Sequence, residues 1–194
     1  MTVVDTDRIE MAEESDERTL DMMFEWLEPT PEGFKVEIVE GNIFMSPQRD
    51  THWEIIFDIV EQLRAGYARK QLKSDVRIDF PGRLNGFASD VVALAEGAAK
   101  DEKGRWRYQD IELVAEVISK DTAANDYGSK KATYAVAGVP VYLVADPYTG
   151  TWHLHTLPKD DGYHSVLSLG FGDPIDLTGT VVGLTLKTGD FPRD

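Results

Sequence analysis

The chain has 194 residues, of which 42% are apolar, and a net charge of −15 at pH 7. This length and apolar content predict one globular domain with a sizeable core and exclude a disordered chain. The absence of cysteine excludes a disulfide scaffold, a thiolate metal site and a cysteine nucleophile. No apolar run reaches the ~18 residues of a membrane span, and the acidic N-terminal stretch does not resemble a secretory signal, so we expect a cytoplasmic protein.

The negative charge is concentrated near the N terminus. Residues 1–40 carry 13 acids and 3 bases, a net charge of −10, whereas the rest of the chain carries only −5. We therefore expect a flexible acidic tail over residues 1–17, followed by a single domain over residues 18–194. An acidic chain is poorly suited to tight non-specific binding of nucleic acid, which depends on neutralising phosphates.

The first half of the chain predicts two helices and three strands. A helical stripe begins near Thr19 and ends before Pro29. Two short strands, KVEIVE and IFMS, flank a turn at Gly41-Asn42. A longer helical pattern runs from about Asp50 to Leu72, and VRIDF then alternates as a half-buried strand.

The second half predicts a central sheet. ASDVVALA and IELVAEVIS are nearly continuous apolar runs, typical of strands that are buried on both faces. A helix is expected from about Thr122 to Ala137, before the buried strand VPVYLVADP. The segments TWHLHTL and YHSVLSL predict a C-terminal hairpin or meander. The order αββαβββαβββ indicates one α/β domain with a mixed central sheet flanked by helices.

Two carboxylates interrupt the buried strands. Asp90 lies within the first apolar run and Glu116 within the second. Buried acids are normally paired or bound to metal, and two of them on neighbouring strands could hold a hard cation such as Mg²⁺. The sequence leaves a structural ion pair, or solvent-facing strand ends, as equally good interpretations.

The helix after Glu116 adds a second set of polar residues. Asp126, Lys130 and Tyr134 are spaced four apart, so they share one helical face. A lysine beside the two acids could orient a water molecule or stabilise charge on a phosphate. The alternative is an ordinary exposed Asp–Lys pair.

Glu37 is a third candidate acid, because Val36 and Ile38 mark the opposite face of its strand. His52 is a candidate supporting residue, with a surface or capping role as the alternative. His153 and His155 have a spacing that can chelate zinc, but no third ligand lies nearby, so we expect no zinc site.

These motifs resemble the Uma-two family of restriction endonucleases, within the PD-(D/E)XK nuclease superfamily. The resemblance lies in VEIVEGNIFMSPQRDTHWEI, SDVVAL, ELVAEVIS and DYGSKKATYAVAGVPVYLVADP, and covers about residues 20–190. It implies a restriction-endonuclease-like core, an Mg²⁺- or Mn²⁺-dependent endodeoxyribonuclease and a homodimer. The positions that match the family's site are Glu37, His52, Asp90, Glu116, Asp126, Lys130 and Tyr134.

The chain also departs from the family pattern. Ser89 replaces the proline before the aspartate, and Ile118 stands where the superfamily has its lysine. The resemblance implies that Lys130, or Lys120, supplies the missing charge. Val141 and Leu143 stand where the family has glutamate and tryptophan, and these losses leave a weakened or altered activity as an alternative.

Two functions follow as hypotheses. In a nuclease, Asp90, Glu116 and the Val117 carbonyl would hold the metal with help from Glu37, while basic side chains contact the backbone of DNA. The candidate basic residues are Arg69, Lys70, Lys73, Arg77, Arg83, Lys100, Lys103, Arg105 and Arg107. The alternative is a catalytically weak binding or assembly module, which the overall acidity favours. A dimer would pair the strand VYLVA or the C-terminal hairpin across a two-fold axis.

Overall fold

The computed structural model describes residues 6–47 and 49–194. Its helices are α1 (Thr6–Trp26), α2 (Asp50–Leu63), α3 (Ala123–Tyr127) and α4 (Ser129–Val136). Its strands are β1 (Phe34–Val39), β2 (Asn42–Pro47), β3 (Leu72–Lys73), β4 (Ile78–Phe80), β5 (Asn85–Phe87), β6 (Val91–Leu94), β7 (Trp106–Arg107), β8 (Ile111–Val117), β9 (Val141–Asp146), β10 (Thr151–Lys159), β11 (Gly162–Gly170), β12 (Ile175–Asp176) and β13 (Thr185–Leu186). None of these helices is long and apolar enough to span a membrane.

The strands form a large mixed sheet and a smaller one. The large sheet has the order β11-β10-β9-β8-β6-β3, in which only β8 and β9 pair in parallel. The smaller sheet has the order β2-β1-β5-β4-β7, and β12 pairs with β13. The predicted mixed central sheet flanked by helices and the C-terminal hairpin, β10–β11, are confirmed.

The central strands of the large sheet, β6, β8 and β9, are buried on both faces, as their continuous apolar runs predict. Leu113, Ala115 and Val117 of β8 pack in the cluster that contains α2. Val114 and Ile118 point the other way, into a cluster with Tyr134 of α4 and aromatic residues of the smaller sheet. Successive strand residues alternate between faces, so Glu116 lies on this second face, in the layer between the two sheets.

Several predicted boundaries are wrong. The helix expected from Thr19 begins at Thr6, so residues 6–17 of the expected flexible tail are helical; Glu17 is held there by ion pairs to Lys103 and Arg105. Residues 1–5 of that tail lie outside the described residues. The second predicted helix ends at Leu63, not Leu72, because Leu72 and Lys73 pair with β6.

The helix expected over residues 122–137 is broken at Gly128. A Cβ at this position would lie 2.7 Å from the Ala124 carbonyl oxygen, so the chain makes a close approach that only glycine allows. The predicted turn is also displaced by one residue. Glu40 and Gly41, with φ of 50° and 77°, form the two-residue turn, and Asn42 already opens β2.

The position of β9 overturns one part of the dimer hypothesis. The strand VYLVA lies inside the sheet, hydrogen-bonded to β8 on one edge and to β10 on the other. It therefore has no edge with which to pair across a two-fold axis. The hairpin strand β11, at the end of the large sheet, keeps that possibility open.

Candidate active site

Three acids from three strands meet in the layer between the two sheets. Glu37 lies on β1, Asp90 directly precedes β6, and Glu116 lies on β8. Their exposed fractions are 6%, 6% and 1%. Glu37 and Asp90 each lie two residues from an apolar residue of the inner layer, Val39 and Val92, so strand alternation turns both acids inward.

Lys130 joins these acids from the helix side. Its Nζ lies 3.0 Å from Glu37 Oε1, 2.7 Å from Glu116 Oε1 and 2.9 Å from Asp126 Oδ1. The side chain is only 1% exposed. The predicted face of Asp126, Lys130 and Tyr134 is therefore directed at the acids, and the alternative of an exposed Asp–Lys pair does not describe it.

A second lysine approaches the same acids from β1. Lys35 Nζ lies 2.7 Å from Asp90 Oδ1, 3.8 Å from Glu37 Oε2 and 3.9 Å from Glu116 Oε2. Sequence reasoning missed this residue, although a signal was available. Lys35 and Glu37 are two residues apart on one strand, so their side chains share a face.

Hydrogen bonds fix the orientation of each carboxylate. The Val117 amide donates to Asp90 Oδ2 at 2.7 Å, and the Ala88 amide donates to Glu37 Oε1 at 3.0 Å. The Tyr134 hydroxyl donates to Glu116 Oε1 at 2.6 Å. Ser89 Oγ lies 2.8 Å from that hydroxyl, so the residue that replaces the family's proline supports the network.

The acids differ in their affinity for protons. Burial raises the pKa of Glu116 to about 8, and the neighbouring charges of Asp90 and Glu37 add to this shift. Burial would also raise the pKa of Asp90, but the Lys35 ammonium and the Val117 amide hold it below its ordinary value. Burial raises the pKa of Asp126. Asp90 therefore favours its charged form, whereas Glu116 favours its protonated form.

The charges of the cluster do not cancel. Four carboxylates face two lysines, which leaves two negative charges in excess when all are ionised and one when Glu116 holds the proton that its raised pKa favours. Carboxylate oxygen is the ligand that Mg²⁺ prefers, and one divalent cation would match the larger excess. No group of three or more metal-ligand side chains in the described part of the chain is arranged to hold an ion. A lysine nitrogen lies 2.7 Å from an oxygen of Asp90 and another lies 2.7 Å from an oxygen of Glu116.

A cleft leads from the surface to the cluster. Lys35, Glu37, Asp90 and Asp126 line its inner end, together with Val117. Its outer wall is formed by residues from the end of β2 and the start of α2, including Pro47, Arg49, His52, Trp53 and Ile56. Lys130 and Glu116 do not line the cleft, so the cluster has an accessible side and a sealed side.

Comparison with known proteins identifies the family. Residues 20–189 match the family model Uma2, described as "Putative restriction endonuclease". The chain belongs to this family. Every residue of the acid–lysine cluster falls inside the matched range. No protein of curated function matches the sequence.

A solved structure gives the same fold. The crystal structure titled as a putative nuclease belonging to DUF820 from Anabaena variabilis ATCC 29413 is similar to this chain with a TM-score of 0.68. The two sequences are 15% identical, and the match covers 89% of this chain and 96% of that one. The restriction-endonuclease-like core that the Uma2 resemblance implied is therefore confirmed as a fold.

The remaining candidate residues lie around the cluster at different distances. His52 lines the cleft, and its two buried ring nitrogens have no hydrogen-bond partner among the described residues. Val117 also lines the cleft; its amide contacts Asp90, and metal binding by its carbonyl stays a prediction. Lys120 is directed elsewhere, with Nζ 4.8 Å from the centre of the Tyr148 ring.

Four of the nine basic residues expected to contact nucleic acid are already paired with acids. Arg77, Lys103 and Arg105 bind Asp21 of α1, and Arg107 binds Asp110. Contact of these four residues with nucleic acid stays a prediction, and α1 brings its carboxylates against the first three. Lys73 and Lys100 instead flank the Trp106 ring, at 4.7 and 5.6 Å from its centre.

Proposed function

We propose that this protein is an Mg²⁺- or Mn²⁺-dependent endonuclease that hydrolyses phosphodiester bonds of DNA. The observation that carries the proposal is the convergence of three buried acids in a chain of the Uma2 family, of which Glu37 and Asp90 line the inner end of an open cleft and Glu116 lies behind them. Perturbed, buried acids in a cleft are typical of catalytic sites. A homodimer in the cytoplasm belongs to the same proposal.

The carboxylate donors are of the chemical type that a divalent metal prefers, although the described side chains are not arranged around an ion. Asp90 and Glu116 would hold it, with Glu37 and the Val117 carbonyl as further ligands. When bound, the metal would polarise the phosphate and lower the pKa of a water molecule. The fit requires the Lys35 ammonium to move, since it now lies 2.7 Å from Asp90.

The residues of the chain would orient these groups. The Tyr134 hydroxyl and Lys130 both contact Glu116 Oε1, at 2.6 and 2.7 Å, whereas Glu116 Oε2 accepts a hydrogen bond from the Asp90 amide at 3.3 Å on the side of Lys35. We assign Lys130 a positioning role rather than contact with the attacking water, because its side chain is sealed from the cleft.

The outer cleft suits a nucleotide. Trp53 is 56% exposed and offers a flat face on which a base can stack. Arg49 adds a cation at the same wall. The Ser119 hydroxyl, like the His52 ring, lines the cleft without a hydrogen-bond partner among the described residues. Buried polar groups without partners are those that a bound ligand can satisfy.

Cleavage of plasmid and single-stranded DNA in Mn²⁺ tests the proposal. Asp90→Asn and Glu116→Gln are expected to lower the cleavage rate more than ~100-fold, since losing a ligand costs at least as much as losing its supporting contacts. Glu54→Gln, an exposed acid on α2, is the control and should cleave normally. Purified protein that cuts neither substrate and binds no Mn²⁺ would refute the proposal.

The second candidate is a binding or assembly module with little catalysis. It is favoured by the net charge of −15 and by the pairing of Arg77, Lys103 and Arg105 with acids. Such a module would bind its partner equally well with Mn²⁺ and with EDTA. It would also keep that affinity in the Asp90→Asn variant.

A further inference from the structure

We propose that Lys35 is the catalytic lysine of this cleft, and that in the metal-free protein its ammonium holds the cation position among Glu37, Asp90 and Glu116. This inference rests on the proposed function and deepens it. It assigns to a strand residue the role that sequence comparison assigned to Lys130.

The two lysines approach the cluster from different sides, although both lie near Glu37 Oε2, at 3.2 Å for Lys130 and 3.8 Å for Lys35. Glu116 shows this most clearly, because Oε1 lies 2.7 Å from Lys130 Nζ whereas Oε2 lies 3.9 Å from Lys35 Nζ. Asp90 contacts Lys35 alone, at 2.7 Å, and Asp126 contacts Lys130 alone, at 2.9 Å. Lys130 is therefore the internal counter-ion, and Lys35 occupies the side that faces the cleft.

Accessibility separates the lysines in the same way. The Lys35 side chain is 12% exposed and lines the cleft, whereas the Lys130 side chain is 1% exposed and does not. A residue that stabilises charge on a substrate phosphate must reach that phosphate. Of the two lysines in this cluster, Lys35 alone meets that condition.

The position of Lys35 also conflicts with a bound metal. A divalent ion would need oxygens of Asp90, Glu116 and Glu37, and Lys35 Nζ lies within 3.9 Å of an oxygen of each. Mg²⁺ binds oxygen at about 2.1 Å, so an ammonium and a metal cannot share these oxygens without strong repulsion. With a metal at these oxygens, Lys35 would therefore move toward the cleft, and its flexible four-carbon chain permits this movement.

Once released, Lys35 keeps its proton and donates a hydrogen bond to a non-bridging phosphate oxygen. It forms no covalent bond. In the hydrolysis, a water oxygen adds to phosphorus, and the bond from phosphorus to the leaving sugar oxygen breaks with its electron pair. One water proton ends on the leaving oxygen and the other stays with the new phosphate monoester.

The test measures Mn²⁺ affinity by calorimetry without nucleic acid, and then DNA cleavage, in full-length protein. Lys35→Met should bind Mn²⁺ at least ~10-fold more tightly, because a competing cation is lost, and should cleave at least ~10-fold more slowly. Lys35→Arg keeps a positive charge and should not gain affinity. Lys131→Met, on the same helix as Lys130, is the control and should behave as the unchanged chain in both assays.

The outcomes are distinct. If Lys35→Met binds Mn²⁺ no more tightly than the unchanged protein, the claim that the Lys35 ammonium occupies the place of the metal is wrong. If Lys35→Met cleaves DNA at the unchanged rate, the claim that Lys35 is the catalytic lysine is wrong. Tighter binding in a protein that cuts no DNA supports the cation position while the endonuclease proposal fails. If Lys35→Met unfolds, tighter Mn²⁺ binding by Lys35→Gln supports the inference, and unchanged binding overturns it.

Discussion

At the residue scale, Lys130 is the counter-ion that stabilises the buried carboxylates. It contacts Glu37, Glu116 and Asp126 within 3.0 Å and is 1% exposed. Burial alone would lower its pKa, but these carboxylates raise it well above the ordinary value for lysine. Lys130 is therefore expected to stay charged at every pH at which the protein is folded.

Replacing Lys130 by methionine should destabilise the fold strongly. The variant leaves buried carboxylates without their counter-ion, a change that costs about 3–5 kcal/mol of unfolding free energy. Urea unfolding in EDTA measures it. Lys131→Met is the matched control and should change stability little. A Lys130→Met variant as stable as the unchanged chain would show that the acids are held by other contacts.

His155 makes the fold sensitive to acid. Burial lowers its pKa to about 4, with help from the charges of Lys131 and His153, and its ring nitrogens have no hydrogen-bond partner among the described residues. The ring lies 5.6 Å from that of Tyr142. Between its ordinary pKa of about 6.5 and 4, the unfolded chain binds a proton that the folded chain does not, so stability is lost as the pH falls.

We expect the melting temperature of the unchanged chain, measured relative to that of His155→Phe, which keeps the aromatic contact, to be lower at pH 5 than at pH 7.5. His164→Gln is the control, since this exposed histidine pairs with Asp161 at the surface. Thermal scans at the two pH values measure the difference. If the melting temperatures of the unchanged chain and of His155→Phe change equally between the two pH values, groups other than His155 cause the acid sensitivity.

At the scale of elements, α1 acts as an acidic cover over basic side chains. Glu17 contacts Lys103 and Arg105 at 2.6 Å each, and Asp21 contacts Arg77 at 2.6 Å. These pairs are partly exposed, so each contributes little to stability. Their larger effect is on binding, because they neutralise cations that would otherwise attract phosphate.

Removing one acid of α1 should strengthen nucleic-acid binding. Glu17→Gln frees part of the charge of Lys103 and Arg105, and we expect affinity for a DNA duplex in EDTA to rise roughly threefold at low salt. Glu14→Gln is the matched control, because Glu14 pairs with the exposed Arg18. Anisotropy titrations at several salt concentrations measure both variants. Equal affinities would show that these cations do not contact DNA.

At the scale of the whole molecule, the end of the large sheet offers an interface. In the described part of the chain, β11 pairs with β10 and with no other strand. Val166, Leu167 and Leu169 of β11 are 58%, 47% and 40% exposed. An unpaired edge that carries apolar side chains tends to pair with another strand.

We therefore expect two copies to associate through β11 in antiparallel pairing. Leu167→Lys should shift the mass measured by light scattering from two chains to one. Val181→Lys changes an apolar residue that is 59% exposed outside β11 and should leave the mass unchanged. If the unchanged protein has the mass of one chain at ~100 µM, this assembly is refuted, since stable dimers persist at such concentrations.

The pattern of apolar residues alone predicted the central strands and drew attention to the acids in or beside them. Continuous apolar runs are explained by burial on both faces, and this local pattern made Asp90 and Glu116 conspicuous. The alternation of side chains along β1 was enough to predict that Glu37 points inward. The family resemblance, now matched over residues 20–189, supplied the restriction-endonuclease-like fold.

The contacts between charged side chains follow from the packing of elements that are distant in sequence. Lys35 reaches Asp90 across 55 positions of sequence, and Lys130 reaches Glu37 across 93. The packing of two sheets and α4 sets which lysine is sealed and which faces the cleft. The pairing of α1 acids with Arg77 and Arg105 is equally non-local. No sequence period encodes such contacts, because they depend on which distant elements become neighbours in the folded chain.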